Sequence, residues 1–189
     1  MCGIFGVFPG AGTRSGISSL ARFDRAIRHR GPDDVGFLYL DGRQMEVSRS
    51  PEVPPWATAA FLHRRLAIID LDARSSQPMQ AEDGSVVLLY NGEIYNFAEL
   101  RHELENHGYR FRTRSDTEVL LAGYRLWGCD VLNRVSGMFA FVIIDRVRRT
   151  VMLARDPFGI KPLYLLNHGD TVAVCSELPP LIDLLGSRA

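Results

Sequence analysis

Three stretches of this chain are almost entirely apolar, without the alternation of polar and apolar residues that marks a strand with one face in water. They are residues 3–8, 86–90 and 137–145. A strand of this kind has to be covered on both faces, and stretches with helical spacing separate the runs along the chain. The pattern therefore predicts stacked sheets with helices in the outer layers, which is a layered α+β domain.

Weaker signals complete this prediction. Apolar residues at helical spacing favour helices at 17–29, 96–107, 115–127 and 181–185. Further strands are expected at 35–40, 62–70, 110–113, 150–155, 163–166 and 172–175. Polar and proline-containing stretches predict loops at 48–58, 75–84 and 91–96, the last directly after a buried strand.

Length and composition exclude several classes of protein. With 189 residues, 46% of them hydrophobic, the chain is expected to form a single domain over 1–189. A formal net charge of zero gives no indication of a nucleic-acid partner or an anionic membrane surface. No apolar run approaches the roughly 20 residues of a membrane span, and no signal peptide is evident at the start. Three widely spaced cysteines suit the reducing cytoplasm, and neither a metal nor a cofactor is expected.

The first three residues, Met1-Cys2-Gly3, allow a specific chemistry. Initiator methionine is removed when the next residue is small, and Cys2 would then carry both a thiol and the α-amine of the chain. The thiolate is a nucleophile, and an α-amine with a pKa of about 7.7–8.0 is a base suited to neutral pH. Such a pair can perform nucleophilic catalysis. The alternative is an unstructured chain start without a role.

Other polar groups are candidates for a site, each with a structural alternative. Arg64 and Arg65 lie among apolar residues, so one of them is expected to meet a carboxylate, although both could be solvated on an edge strand. Asn91 and Gly92 follow a buried strand and could supply an amide and a backbone N–H to an oxyanion hole, but Asn-Gly is also a common turn. Asp116 could equally be an acid in a first helical turn.

Taken together, six motifs in order resemble the glutaminase domain of glutamine-using asparagine synthetases, which is a class II glutamine amidotransferase domain of the N-terminal-nucleophile hydrolase fold. Each motif alone is weak, but six in the same order over nearly the whole chain are highly specific. The motifs are Met1-Cys2-Gly3-Ile4-Phe5-Gly6, Arg28-His29-Arg30-Gly31-Pro32-Asp33, His63-Arg64-Arg65-Leu66, Asn91-Gly92-Glu93-Ile94-Tyr95-Asn96, Ser115-Asp116-Thr117-Glu118 and the run from Arg155-Asp156-Pro157-Phe158-Gly159 to Tyr164.

The resemblance implies a four-layer αββα sandwich and a reaction with L-glutamine. It implies that Cys2 attacks the side-chain amide of glutamine, with its own α-amine as the base. The oxyanion hole would consist of the side chain of Asn91 and the N–H of Gly92. For the substrate, the resemblance implies an α-carboxylate held by Arg65, an α-ammonium held by Glu93 and Asp116, and a pocket lined by backbone groups of Ile68 and Ile69.

Three departures from the family pattern stand out. Family members usually continue into an ATP-using synthetase domain that accepts the ammonia. We therefore expect the synthetase domain to be absent from 1–189, and the ammonia to go to a separate synthetase subunit or to a missing C-terminal domain. The stretch 48–58 is longer than the usual hairpin. Pro179 and Pro180 stand where the family usually continues a helix after Ser176-Glu177.

Two other functions stay open from the sequence. The first is a glutamine-binding regulatory module with little turnover, which the intact Cys2, Asn91 and Gly92 disfavour. The second is an N-terminal-nucleophile hydrolase for another amide, which the combination of Arg65 and Asp116 disfavours because it suits a free amino acid.

Overall fold

A computed structural model of the chain describes residues 1–10, 15–68, 70 and 72–186. These residues form two compact units, Met1–Leu66 with Pro162–Ala189, and Ala67–Lys161. The strands in chain order are β1 (Gly3–Phe8), β2 (Asp34–Leu40), β3 (Met45–Ser48), β4 (Ala59–Arg65), β5 (Met79–Gln80), β6 (Val86–Ile94), β7 (Gly137–Asp145), β8 (Thr150–Arg155), β9 (Tyr164–His168) and β10 (Thr171–Cys175). The helices are α1 (Ser15–Ser18), α2 (Leu20–Ile27), α3 (Phe97–Asn106), α4 (Asp116–Trp127) and α5 (Leu178–Gly186).

The first unit is a six-stranded antiparallel sheet in the order β3-β2-β4-β1-β10-β9, with helices on one face. Its N-terminal strand lies in the middle, paired with β4 on one side and β10 on the other. Apolar residues of α2 and α5 pack against every second residue of the central strands, as side-chain alternation requires.

The helix expected at 17–29 is divided in the structure. α1 ends at Ser18, α2 covers Leu20–Ile27, and a 3-10 turn follows at Arg28–Arg30. The helix expected at 181–185 begins earlier, at Leu178. Its two prolines fall in the first turn, where the missing N–H groups are not needed for intrahelical hydrogen bonds.

The second unit is a four-stranded antiparallel sheet in the order β5-β6-β7-β8, with α3 and α4 on one face. Leu88, Tyr90 and Ile94 of β6 belong to the core shared with these helices. Alternation therefore directs Asn91 to the opposite face of the sheet. The long pairing of β6 with β7 runs over the full length of both strands.

Three expectations for this unit were wrong. Residues 91–94 are not a polar loop but the end of β6, because β7 pairs with them as far as Ile94. The stretch 110–113 is not a strand, and its backbone N–H groups at Arg112 and Thr113 are bonded instead by the buried carboxylate of Glu118. The stretch 75–84 contains the short strand β5.

Over the residues that the structure describes, no helix is both long enough and apolar enough to cross a membrane. The expectation of a single domain over 1–189 stays a prediction.

Candidate active site

Cys2 lies at the start of the central strand of the first unit. Gly3 is paired with Arg64, so Cys2 is next to the end of β4. The backbone N–H of Leu66 donates to the Cys2 Sγ at 3.4 Å, and this sulfur is 3.7 Å from the Leu66 oxygen. Together the two contacts fix the position of the sulfur beside the end of β4. Met1 precedes Cys2 in the structure, and the α-amine of Cys2 is therefore part of a peptide bond there.

The start of β1 is held by side chains that the sequence argument did not use. The Arg30 Nε donates to the Cys2 oxygen at 3.0 Å, and the Arg30 Nη1 donates to Glu177 Oε1 at 3.0 Å. The Ile4 N–H donates to the Ser176 Oγ at 3.0 Å. Arg30, at the end of the 3-10 turn, thus joins two residues that are far from it along the chain. These bonds hold the position of Cys2.

The two neighbouring arginines of β4 have different surroundings. The Nε and Nη2 of Arg64 donate to the two carboxylate oxygens of Asp24 in α2, which confirms that one of the pair meets a carboxylate. Arg65 is also buried, at 8% exposure, but points to the opposite face of the sheet. A Cβ on Gly3 would point to the helix face, so Cys2 shares the other face with Arg65. Cys2 and Arg65, the candidates for the nucleophile and for the carboxylate-binding residue, are therefore neighbours on one sheet face.

Asn91 and Gly92 both lie in β6 of the second unit. The Asn91 side chain is buried, and no residue that the structure describes makes a hydrogen bond to its Nδ2. Most buried polar groups are paired, so an orphaned amide nitrogen requires an explanation. A substrate oxygen is one such explanation.

The N–H of Gly92 points away from the neighbouring strand. Along a strand, backbone N–H groups alternate between its two edges, and those of Tyr90 and Ile94 point away from β7 to side-chain acceptors. The Gly92 N–H lies on that same edge, where none of the described residues accepts a hydrogen bond from it. A side chain at this position would not fit, because a Cβ on Gly92 would lie 2.4 Å from the Met138 oxygen.

Asp116 is buried and in contact with the same strand. Its Oδ2 accepts from the Tyr90 hydroxyl at 2.7 Å and from the Ile94 N–H at 3.1 Å. Burial raises the pKa of Asp116 above its usual value, although these hydrogen bonds lower it. Asp116 is also the first residue of α4, so the alternative of an acid in a first helical turn holds as well, while the cap itself is the Ser115 Oγ, which accepts from the Glu118 N–H. An acid buried in this way suits a cationic partner.

The remaining predicted site residues are less enclosed. Ile68 is 74% exposed, and Glu93 is also exposed. Ile69 lies outside the described residues. In the first unit the structure brings Cys2 and Arg65 close together. In the second it gathers Asn91, Gly92 and Asp116 around the end of one strand.

The other two thiols differ from Cys2. Burial raises the pKa of Cys175 to about 12, so its thiol is not ionised at neutral pH. Cys129 is exposed, in the turn that follows α4. Across the described residues, no group of three or more His, Cys, Asp or Glu side chains could hold a metal ion.

Known proteins are similar to this chain over nearly its whole length. A family model described as a glutamine amidotransferase domain matches residues 1–189. The chain belongs to this glutamine amidotransferase family. Among its curated relatives, the Bacillus subtilis protein named asparagine synthetase [glutamine-hydrolyzing] 1 is 40% identical over 185 residues, which are 96% of this chain and 27% of that protein. Asparagine synthetase B [glutamine-hydrolyzing] of Escherichia coli is 37% identical over 185 residues, covering 96% of this chain and 30% of that protein.

This amidotransferase domain thus spans between a quarter and a third of the length of these two relatives. A solved structure of glutamine phosphoribosylpyrophosphate amidotransferase from B. subtilis, complexed with ADP and GMP, matches it with a TM-score of 0.78 and 27% identity. The match covers 98% of this chain and 44% of that one. The expected α+β fold of the N-terminal-nucleophile type is confirmed by this likeness.

Proposed function

We propose that this chain hydrolyses L-glutamine to glutamate and ammonia. The observation that carries the proposal is the pair of adjacent donors on β6, the buried Asn91 Nδ2 and the Gly92 N–H, neither of which has a partner among the described residues. Two donors without acceptors, next to each other on a rigid strand, form an oxyanion hole at no cost of rearrangement. Family membership supplies the substrate class.

In the proposed reaction the Cys2 thiolate attacks the side-chain amide carbon of glutamine. A C–S bond forms while the carbonyl oxygen becomes an oxyanion, which accepts hydrogen bonds from Asn91 and Gly92. The proton taken from the thiol by the α-amine passes to the leaving nitrogen, and ammonia departs as the C–N bond breaks. Water then attacks the γ-glutamyl thioester and releases glutamate and the thiol. The mechanism requires that Met1 has been removed, because an acylated amine is not a base.

Recognition of the amino-acid end of glutamine falls to charged side chains. We assign the α-carboxylate to Arg65, whose planar guanidinium suits a bidentate contact and whose neighbour Arg64 is already engaged by Asp24. We assign the α-ammonium to Asp116 and Glu93. Backbone groups of Ile68 and Ile69 complete the proposed pocket lining. The buried carboxylate of Asp116 makes the larger contribution of the two acids, because a charge pair away from water is less screened.

We further propose that the ammonia goes to an ATP-using synthetase domain or subunit, with asparagine as the product. The names of the curated relatives and the share of their length that is matched support this assignment. A protein containing this chain and its synthetase should form asparagine from aspartate with either glutamine or ammonium. Its Cys2→Ala variant should keep only the ammonium reaction. A cytoplasmic location is part of the proposal, since none of the three cysteines is in a disulfide.

The deciding experiment measures ammonia release by the purified chain from L-glutamine, L-asparagine and N-acetyl-L-glutamine, since ammonia is the product common to hydrolysis of all three side-chain amides. We expect turnover of glutamine alone, because the other two lack the correct length or the α-ammonium. Binding of glutamine without turnover would favour the regulatory module. Comparable turnover of N-acetyl-L-glutamine would favour a hydrolase for another amide and would remove the role of Asp116 and Glu93.

A further inference from the structure

On the edge of β6 that carries the Gly92 N–H, the N–H groups of Tyr90 and Ile94 on either side of it have acceptors. The Gly92 N–H has none among the described residues. Short β5 pairs with β6 only at Met79–Leu88 and Gln80–Val87. Continued in the same register, the next residues of the chain would be Pro78 and Gln77. In that register Pro78 lies opposite Leu89 and Gln77 lies opposite Tyr90, but β5 has already ended at Met79.

Gln77 covers the edge with its side chain instead. It is 4% exposed, and its Oε1 accepts from the Tyr90 N–H at 2.6 Å. Tyr90 is the residue opposite Gln77 in the continued register, so the side-chain amide oxygen takes the place of the missing backbone carbonyl. Nothing in the sequence indicated this, since 75–84 was expected to be a polar loop.

On the far side of Gly92, Asp116 performs the same task for Ile94. Three consecutive N–H groups on this edge thus belong to Tyr90, Gly92 and Ile94, and the outer two are bonded by buried side chains. Without Gln77, the Tyr90 N–H would lose the buried acceptor that the structure shows for it. The segment of β6 that carries Asn91 and Gly92 would then be held on this edge at Ile94 but no longer by Gln77 at Tyr90.

We propose that Gln77 is a positioning residue for glutamine hydrolysis, fixing the segment of β6 that presents Asn91 and Gly92 to the oxyanion. This role rests on the proposed glutaminase function. Gln77 itself does not touch the reacting atoms. Its effect should therefore appear in the rate of the chemical step rather than in substrate affinity, because the oxyanion forms only in the transition state.

The test uses Gln77→Met, which keeps the side-chain length but removes the strong acceptor. We expect kcat for glutamine hydrolysis to fall by about 10- to 100-fold, since a misplacement of roughly 1 Å can cost about 10²-fold. KM should stay within about threefold, as expected for an interaction used only in the transition state. Amide hydrogen exchange at Tyr90, followed by NMR, should become faster because its acceptor is gone.

Tyr124→Phe is the matched control. It removes another buried hydrogen bond of the same unit, that of the Tyr124 hydroxyl to Asp145 Oδ2 at 3.1 Å, and Asp145 pairs with the opposite end of β6. It should lower the melting temperature and leave kcat unchanged. An active wild type with an unchanged kcat in Gln77→Met, or a loss confined to KM, would overturn the role of Gln77 alone. An inactive wild type would overturn the glutaminase proposal together with it, and Tyr90 exchange would still report whether Gln77 holds the strand.

Discussion

Replacing Asn91 with leucine should separate catalysis from stability. The side chains are similar in size, but leucine offers no donor to an oxyanion. Loss of one such donor typically lowers kcat by about 10²–10³-fold. Because the donor acts mainly in the transition state, the affinity for glutamine should change by only a few-fold.

The structure predicts an unusual effect of Asn91→Leu on stability. A buried polar group without a partner destabilises a fold by about 1–3 kcal/mol, and the Asn91 Nδ2 has no partner among the residues described. Leucine removes that cost, so the melting temperature should be unchanged or higher. For a domain of this size each kcal/mol corresponds to about 2–4 °C. Activity and stability should thus move in opposite directions.

Asn96→Leu is the matched control for this experiment. The Asn96 side chain accepts from the Ser136 N–H at 2.8 Å and donates to the Arg134 oxygen at 2.8 Å. Its loss should lower the melting temperature and leave kcat close to wild type. Steady-state glutaminase kinetics and thermal melts on both variants decide the matter. A near-wild-type kcat for Asn91→Leu, or a marked loss of stability, would refute the oxyanion role. Asn91→Asp should be at least as slow, because a carboxylate repels the oxyanion.

Two further predictions concern the amino-acid end of glutamine. Arg65→Ala should raise KM for glutamine by about tenfold or more, whereas Arg64→Ala, which leaves the Asp24 carboxylate partly buried, should lower the melting temperature and spare KM. A KM close to wild type in Arg65→Ala would show that Arg65 does not hold the substrate. Asp116→Asn should raise KM without lowering the melting temperature at neutral pH, because the raised pKa of Asp116 means that folding disfavours its ionised form. For the same reason the wild-type KM should begin to rise on acidification before the pH has fallen to 3.8, the usual pKa of an aspartate, because a protonated Asp116 no longer attracts an ammonium. A KM independent of pH in that range would contradict this.

The sequence identified the groups of the candidate site better than it predicted their conformation. Asn91 and Gly92 were recognised as potential donors, but Asn-Gly favours a turn locally, and a loop was expected there. The structure has a strand instead, because nine residues of β7 pair with β6 and this long-range ladder outweighs the local preference. A paired strand also holds both donors more rigidly than a loop would, as an oxyanion hole requires.

Long-range partners explain what could not be predicted. That one of Arg64 and Arg65 meets a carboxylate followed from the apolar surroundings. Which one does so depends on which face of the sheet α2 covers, and the sequence does not contain that information locally. The roles of Arg30 and Gln77 depend on contacts with residues distant in sequence, Cys2 and Glu177 in one case and Tyr90 in the other. A side chain that replaces a missing backbone carbonyl leaves no periodic signal.

The central claim is that Cys2, as the first residue of the mature chain, forms the covalent intermediate. The direct measurement is mass spectrometry of the N-terminal peptide after glutamine turnover is quenched with acid, on the wild type and on Cys129→Ala. The account predicts a peptide that begins at Cys2 and carries one γ-glutamyl group as a thioester, in both proteins. An active protein that retains Met1, or a glutamyl group on Cys129 with Cys2 unmodified, would contradict it.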